Sequence, residues 1–197
     1  MDSATTSALR EGVRNAYSAA ALEPGAKHPF PVGAAFAASL GYPEEFLQAA
    51  PSESVASFAG VANVSCFAPL LDGACVLDLG CGSGLDTYVA ARRAGSTGAT
   101  VAVDFSLDML RRARLAGDAH GHRILFLQAS AEQLPLPDAS IDVALANGIF
   151  NLNPERELLF PELARVLRPG GTVAGAELIL KEPMPVAENP SPESWFS

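Results

Sequence analysis

The residues whose spacing carries the most chemistry are Asp78, Gly80, Gly82 and Gly84, in the stretch Val76-Leu77-Asp78-Leu79-Gly80-Cys81-Gly82-Ser83-Gly84. Glycines alternating with small residues allow backbone angles closed to other residues, and they let a ligand reach main-chain groups that a Cβ would shield. The apolar run Cys75–Leu79 before them reads as a buried strand, and Leu85–Ala94 after them as a helix. A loop ending at a helix N-terminus presents free N–H groups and the positive end of the helix dipole, which favours an anionic group. The spacing is G-x-G-x-G, whereas a dinucleotide loop uses G-x-G-x-x-G. Asp78 at the strand end has no clear use against a pyrophosphate. It suits a ligand that carries an ammonium beside a carboxylate.

A second carboxylate, Asp104, closes the apolar run Thr100–Asp104, about 20 residues beyond the glycine loop. There it can accept both hydroxyls of a nucleoside ribose, and Phe105 can lie against the base. Capping of the next helix, the simpler use of Asp104, is also within reach of Ser106 and Asp108. Further on, Ser130 and Ala131 follow the strand Ile124–Gln128, and Asn147 follows the strand Ile141–Ala146. Asn147 can offer an amide or a carbonyl to a ligand, although asparagine is also a common turn residue.

These residues need a frame that brings strand ends together. A last strand is expected over Thr172–Leu180, and helices over 2–21, Leu85–Ala94, Leu107–Ala116 and Pro154–Leu167. Alternation of apolar strands with helices implies right-handed crossovers and a mostly parallel, doubly wound α/β sheet of Rossmann-like type. Ligands of such sheets bind beyond the carboxyl ends of the strands, where every residue above is expected. Thr5, Thr6 or Ser7 could cap the first helix. Short helices are expected over Ala34–Leu40, Pro43–Ala50 and Ser52–Ala59, the last with Ser52 as a cap, and a plain connection over Gly60–Asp72. Residues 1–70 then form an N-terminal helical cap and 71–197 the α/β domain.

With Asp78, the G-x-G-x-G loop and Asp104 in this order, the chain resembles the class I S-adenosylmethionine-dependent methyltransferases. The segment from Ser130 through Ala131-Glu132 to Leu134-Pro135, and Leu167-Arg168-Pro169-Gly170-Gly171 before the last strand, extend the likeness over residues 75–180. The resemblance implies S-adenosylmethionine as cofactor, held by Asp78, Gly80, Cys81, Gly82, Gly84, Asp104, Phe105, Ser130, Ala131 and Asn147. In the family an acidic residue meets the adenine amino group where this chain has Ser130, so that contact is weaker here. The backbone contact at Ala131 is unaffected. A G-x-S-x-G nucleophile elbow is not supplied by Gly82-Ser83-Gly84.

Within the class the chain looks most like the arsenite methyltransferase branch, through the glycine loop, Ile149-Phe150-Asn151-Leu152-Asn153-Pro154, and Ala176-Glu177-Leu178-Ile179-Leu180 with Pro183 and Pro185. Trivalent arsenic needs a cluster of thiolates. The branch has a cysteine after strand four, where this chain has Gly148. Cys66 is outside the family's Gly-Cys-Gly setting, Cys75 belongs to strand one and Cys81 to the cofactor loop. The expected activity is therefore in-line methyl transfer to a small-molecule acceptor other than arsenite. A non-catalytic S-adenosylmethionine-binding module and a metalloid methyltransferase using Cys66 are the alternatives. Tyr17, His28 and Asn147 are within the class of possible bases, but none has a motif behind it. Phe30, Phe36, Phe46 and Phe58 would pack the cap or meet a partly apolar acceptor.

The family fold ends in an antiparallel hairpin. The proline-rich residues Lys181–Ser197 cannot build it, so the last strands are expected to be missing and the bare sheet edge could pair two copies as a homodimer. A net charge of −9 argues against a nucleic-acid partner. No apolar run approaches the roughly 18 residues of a membrane span. No secretory signal precedes the first helix, and three cysteines lack disulfide-framework or zinc spacing, so a cytoplasmic location is expected and no metal site.

Overall fold

The computed structural model describes residues 3–115 and 122–179. Five helices come first: α1 (Ser3–Leu22), α2 (Ala34–Ser39), α3 (Glu44–Ala49), α4 (Ser52–Ala56) and α5 (Val64–Phe67). Then β1 (Cys75–Leu79), α6 (Leu85–Ala94), β2 (Ala99–Asp104), α7 (Leu107–Leu115), β3 (Ile124–Gln128) and β4 (Ile141–Asn147) alternate. A 3₁₀ turn (Arg156–Leu158), α8 (Leu159–Val166) and β5 (Leu167–Ala176) close the described chain.

All strand pairs are parallel, in the order β3-β2-β1-β4-β5. The order reverses direction at β1, between β2 and β4, and this switch point opens a crevice at the carboxyl ends of β1 and β4. Strand side chains alternate between the two faces. Val76, Val143 and Leu145 pack with Val64, Leu70 and Ala90 on one side. Leu77, Leu79, Val101 and Val103 pack with Leu159 and Leu163 of α8 on the other. Helices cover both faces, which is why β1 reads as an unbroken apolar run interrupted only by Asp78.

Ala37, Tyr42, Val55 and Phe58 share a core with Leu85 and Val89 of α6. Phe36 and Phe46 are partly buried against that core, whereas Phe30 stacks on Tyr17 at 4.5 Å beside α7.

Several local expectations are corrected. Helix α1 is already formed at Ser3, so Thr5–Ser7 lie inside it. Ser52 is the first residue of α4 and its hydroxyl bonds Glu53; Pro51 occupies the cap position. The connection after Gly60 contains α5, and the carbonyls of Ser65 and Cys66 in it and of its C-cap Ala68 all accept from the Arg93 guanidinium. Strand β5 starts at Leu167, not Thr172, and ends at Ala176. Pairing passes from Ile141↔Leu167 directly to Val143↔Thr172, so Arg168–Gly171 form a bulge rather than a separate turn. Gly170, at φ +85, makes that bulge possible. The segment Pro154–Leu158 is a loop and a 3₁₀ turn, and α8 begins only at Leu159. Residues 180–197, on which the missing hairpin was expected, lie outside the described residues.

Candidate functional site

The glycine loop leaves β1 with Gly80, Gly82 and Gly84 all at positive φ, +71, +52 and +88. Its backbone is tied to β2: the Gly80 and Cys81 N–H groups both donate to the Val103 carbonyl, at 2.8 and 3.0 Å. Gly84 then caps α6 in the left-handed region. A Cβ on Gly84 would stand 3.1 Å from the Cβ of Ala113, so this glycine lets α6 approach α7. Gly84→Ala is therefore expected to lower stability by about 1–3 kcal/mol, as urea denaturation would measure.

Asp78 is buried, and Thr87 Oγ1 of α6 donates to its Oδ2 at 2.5 Å. Burial, followed by the nearby Asp86 charge, holds the Asp78 carboxyl well above the ordinary carboxylate range. Asp104 is also buried. Its Oδ2 accepts from the Gly82 N–H and its Oδ1 from the Ser106 N–H, both at 2.8 Å. Burial pushes its carboxyl up to about 6, against the lowering effect of these N–H donors. Ser106 takes the capping role on α7, accepting from the Met109 N–H at 3.3 Å. Asp104 thus locks the glycine loop to the turn after β2 through its two carboxylate oxygens. A carboxylate has further acceptor capacity on each.

Asn147 sits at the end of β4 with its amide engaged inside the protein. Its Oδ1 accepts from the Val61 and Ala62 N–H groups at 2.8 and 3.1 Å, and its Nδ2 donates to the Ala62 carbonyl and to Asp86 Oδ2, each at 2.7 Å. Asp86 Oδ1 also accepts from the Tyr42 hydroxyl at 2.6 Å and from the Ser65 N–H at 3.1 Å. This network fastens the cap to α6 and β4. Gly60 is needed beside it, because a Cβ there would stand 2.5 Å from Asn147 Nδ2. Asp86 was not singled out from the sequence. Its only signal was an acidic residue in the first turn after the loop, which is ordinary helix chemistry.

At the β3 exit the Ser130 hydroxyl donates to Glu132. Glu132 is also held by Arg10 of α1 and by Asn153 Nδ2 at 2.7 Å, while Arg10 reaches Glu155 at 2.8 Å. Helix α1 is thereby tied to the loops after β3 and β4. Phe105 carries the Arg14 guanidinium over its ring, 5.5 Å from the centroid.

One cavity of about 440 Å³ is bounded by Asp78, Asp104, Phe105, Ser130, Ala131 and Asn147, together with Gly80, Cys81 and Gly82. Gly84, the tenth residue expected at the site, lies behind the wall, between α6 and α7. From the cap and the β4 exit come Tyr17, Phe58, Ile149 and Leu152. His28 is not among the lining residues; its Nε2 lies 2.9 Å from the Glu23 carbonyl. Burial, then the Asp104 and Glu177 charges, raise Tyr17 far above an ordinary phenol, so its hydroxyl stays protonated and is no base. Cys81 is the one cysteine on the wall, and burial raises its thiol as well.

Residues 76–171 match the family model described as a methyltransferase domain. An arsenite methyltransferase of Halobacterium salinarum is 36% identical over 138 residues, 68% of this chain and 35% of that protein. A ubiquinone/menaquinone biosynthesis C-methyltransferase of Hahella chejuensis is 42% identical over 50% of this chain and 41% of its own length. The crystal structure of an arsenic(III) S-adenosylmethionine methyltransferase from Chlamydomonas reinhardtii superposes with a TM-score of 0.53 at 34% identity, over 72% of this chain and 47% of that one. The chain thus spans less than half the length of these relatives. The G-x-G-x-G loop, the strand order and these likenesses together identify residues 76–171 as a methyltransferase domain similar to those of S-adenosylmethionine-dependent methyltransferases.

Proposed function

We propose that the chain binds S-adenosylmethionine in this cavity and directs methyl transfer to a small, partly apolar acceptor. The observation that carries this is the convergence of the ends of β1, β2, β3 and β4 on one cavity at the switch point. The residues fit the donor. Gly82 has positive φ, and a Cβ there would meet only Met109 Sδ, at 3.9 Å, so main chain rather than side chain forms that wall. Asp104 is suited to the ribose hydroxyls, Phe105, Ser130 and Ala131 to the adenine, and the loop from Asp78 to Gly84 to the amino-acid end. When bound, the donor supplies a methyl group that is already activated. What remains for the protein is to orient the acceptor and exclude water. Phe58 and Tyr17 from the N-terminal segment and Ile149 and Leu152 from the β4 exit supply apolar wall for this. No side chain is assigned as a base.

The acceptor is read as something other than arsenite. Cys66 and Cys75 do not line the cavity, and among the described residues no three His, Cys, Asp or Glu are grouped to hold a metal ion. Position 148 supports the same conclusion. Gly148 lies against Val61, whose Cγ1 would be 3.1 Å from a Cβ placed there, so this part of the wall is apolar. A second reading, a binding module without transfer, draws on Ser130, which stands where the family has an acidic residue and can offer the adenine amino group only a neutral hydroxyl oxygen, its proton being donated to Glu132. Calorimetry with S-adenosylmethionine and S-adenosylhomocysteine, followed by labelled methyl transfer to arsenite, hydroquinones and carboxylates, separates these readings. Binding of neither nucleoside would sink all of them. Binding without transfer would favour the module, and transfer to arsenite the metalloid enzyme.

Asp104 also sets a pH dependence. Its folded value of about 6 lies above the ordinary carboxylate value, so the empty fold binds the extra proton between roughly pH 4 and 6. Its contribution to stability is largest below pH 4 and is lost as the pH rises through 6. Ribose hydroxyls pair best with the ionised form. S-adenosylhomocysteine affinity should therefore fall by up to about tenfold per pH unit below 6 through Asp104, beyond any change that the raised Asp78 carboxyl makes at higher pH. Calorimetric titrations between pH 5 and 8 would measure this; a flat profile would remove Asp104 from that role.

A further inference from the structure

Among the described residues, four buried hydroxyls have no hydrogen-bond partner, those of Ser54, Ser57, Ser65 and Thr100. A buried polar group without a partner is unfavourable and calls for an explanation. Ser54, Ser65 and Thr100 do not line the cavity, but Ser57 does, and it is 1% exposed. The hydroxyl cannot relax towards another partner by moving its backbone. The Ser57 N–H donates to the Glu53 carbonyl at 3.3 Å, and the next carbonyl, of Phe58, accepts from the Gly33 N–H at 2.9 Å. Helix α4 is itself pinned to the glycine loop, because Ser83 Oγ donates to the Ser54 carbonyl at 2.8 Å.

Ser83, Leu85 and Asp86, around the first turn of the ten-residue helix α6, share the cavity wall with Ser57. That helix end favours an anion. The same wall also carries two carboxylates, Asp78 and Asp86. Asp86 already accepts three hydrogen bonds, from Tyr42, Ser65 and Asn147. A plain anion would meet repulsion from this pair, whereas a zwitterion satisfies both signs at once. On the reading of the cavity as an S-adenosylmethionine site, the geometry points to Ser57 Oγ as a hydrogen-bond donor to the α-carboxylate of the nucleoside's amino-acid end. The cap then supplies part of the donor site, and not only an acceptor lid.

The test is Ser57→Ala, titrated with S-adenosylhomocysteine and with 5′-methylthioadenosine, which keeps the nucleoside but lacks the amino-acid end. S-adenosylhomocysteine should bind about tenfold or more weakly, as for a lost hydrogen bond to a charged group, and 5′-methylthioadenosine as in wild type. The melting temperature of the ligand-free variant should be unchanged or higher, since an unpaired buried hydroxyl has been removed. An unchanged S-adenosylhomocysteine affinity, or an equal loss for both ligands, overturns the assignment of Ser57 while leaving the cavity's function standing. Wild-type protein that binds neither ligand overturns both.

Discussion

Asp104→Asn should weaken S-adenosylhomocysteine binding at least about 100-fold while leaving the fold intact. The carboxylate holds the glycine loop and the following turn by accepting from the Gly82 and Ser106 N–H groups, both at 2.8 Å. An asparagine has the same shape, but its amide nitrogen would face one of those N–H groups, donor against donor. It also removes the charge that strengthens bonds from ribose hydroxyls. Two charge-assisted hydrogen bonds at roughly 1.5–3 kcal/mol each account for a loss of this size, since about 1.4 kcal/mol is tenfold. Stability should respond much less, because removing a buried charge offsets the lost pairing. Calorimetry and thermal melts on the same sample check both halves. An Asp104→Asn protein that binds within threefold of wild type would show that the ribose is held elsewhere.

Asn147→Ala has the largest expected effect on stability, a loss of about 3 kcal/mol. Four hydrogen bonds end on this one amide. Truncation leaves the Val61 and Ala62 N–H groups and the Asp86 carboxylate without that partner in a part-buried setting, and a group left unsatisfied there costs about 1–3 kcal/mol. Water reaching the truncated side chain recovers some of this, so the sum stays near 3 rather than rising above it. At roughly 2–4 °C per kcal/mol for a chain of this size, melting should fall by about 6–12 °C. Asn147→Asp is the sharper probe. It keeps the acceptor for Val61 and Ala62 but sets a carboxylate against Asp86, so its deficit should grow as the pH rises from 5 to 7. A melting temperature within 2 °C of wild type for Asn147→Ala would mean that the N-terminal segment is held by its other contacts and not by this amide.

Asn147 also shows how far local patterns reach. Its place at the end of β4 was legible, because an apolar run followed by Asn-Gly is a strand and its exit. Its hydrogen bonds inside the protein were not legible, since its amide oxygen accepts from Val61 and Ala62, more than 80 residues earlier. Asp104 gives the opposite case. Its place facing the cavity was foreseeable from its position at a strand end, whereas its bond to the Gly82 N–H was not, and the helix cap expected as its alternative falls to Ser106. The bulge in β5 was missed because Pro169-Gly170-Gly171 reads as a turn. Only pairing with β4, resuming at Val143↔Thr172, shows that the strand continues through it.

By itself the sequence determined the order of strands and helices, the parallel α/β class and the glycine loop with its two flanking carboxylates. These follow from period, spacing and residue type within short windows, where backbone geometry leaves few choices. The tertiary structure decided which side chains meet across the chain: Asn147 with Asp86 and the cap, Arg10 with Glu132, and Ser57 with the cavity. Such pairings depend on where distant segments dock, and packing sets that docking. The same carboxyl, amide or hydroxyl in an identical local pattern could otherwise face water, cap a helix or hold a ligand.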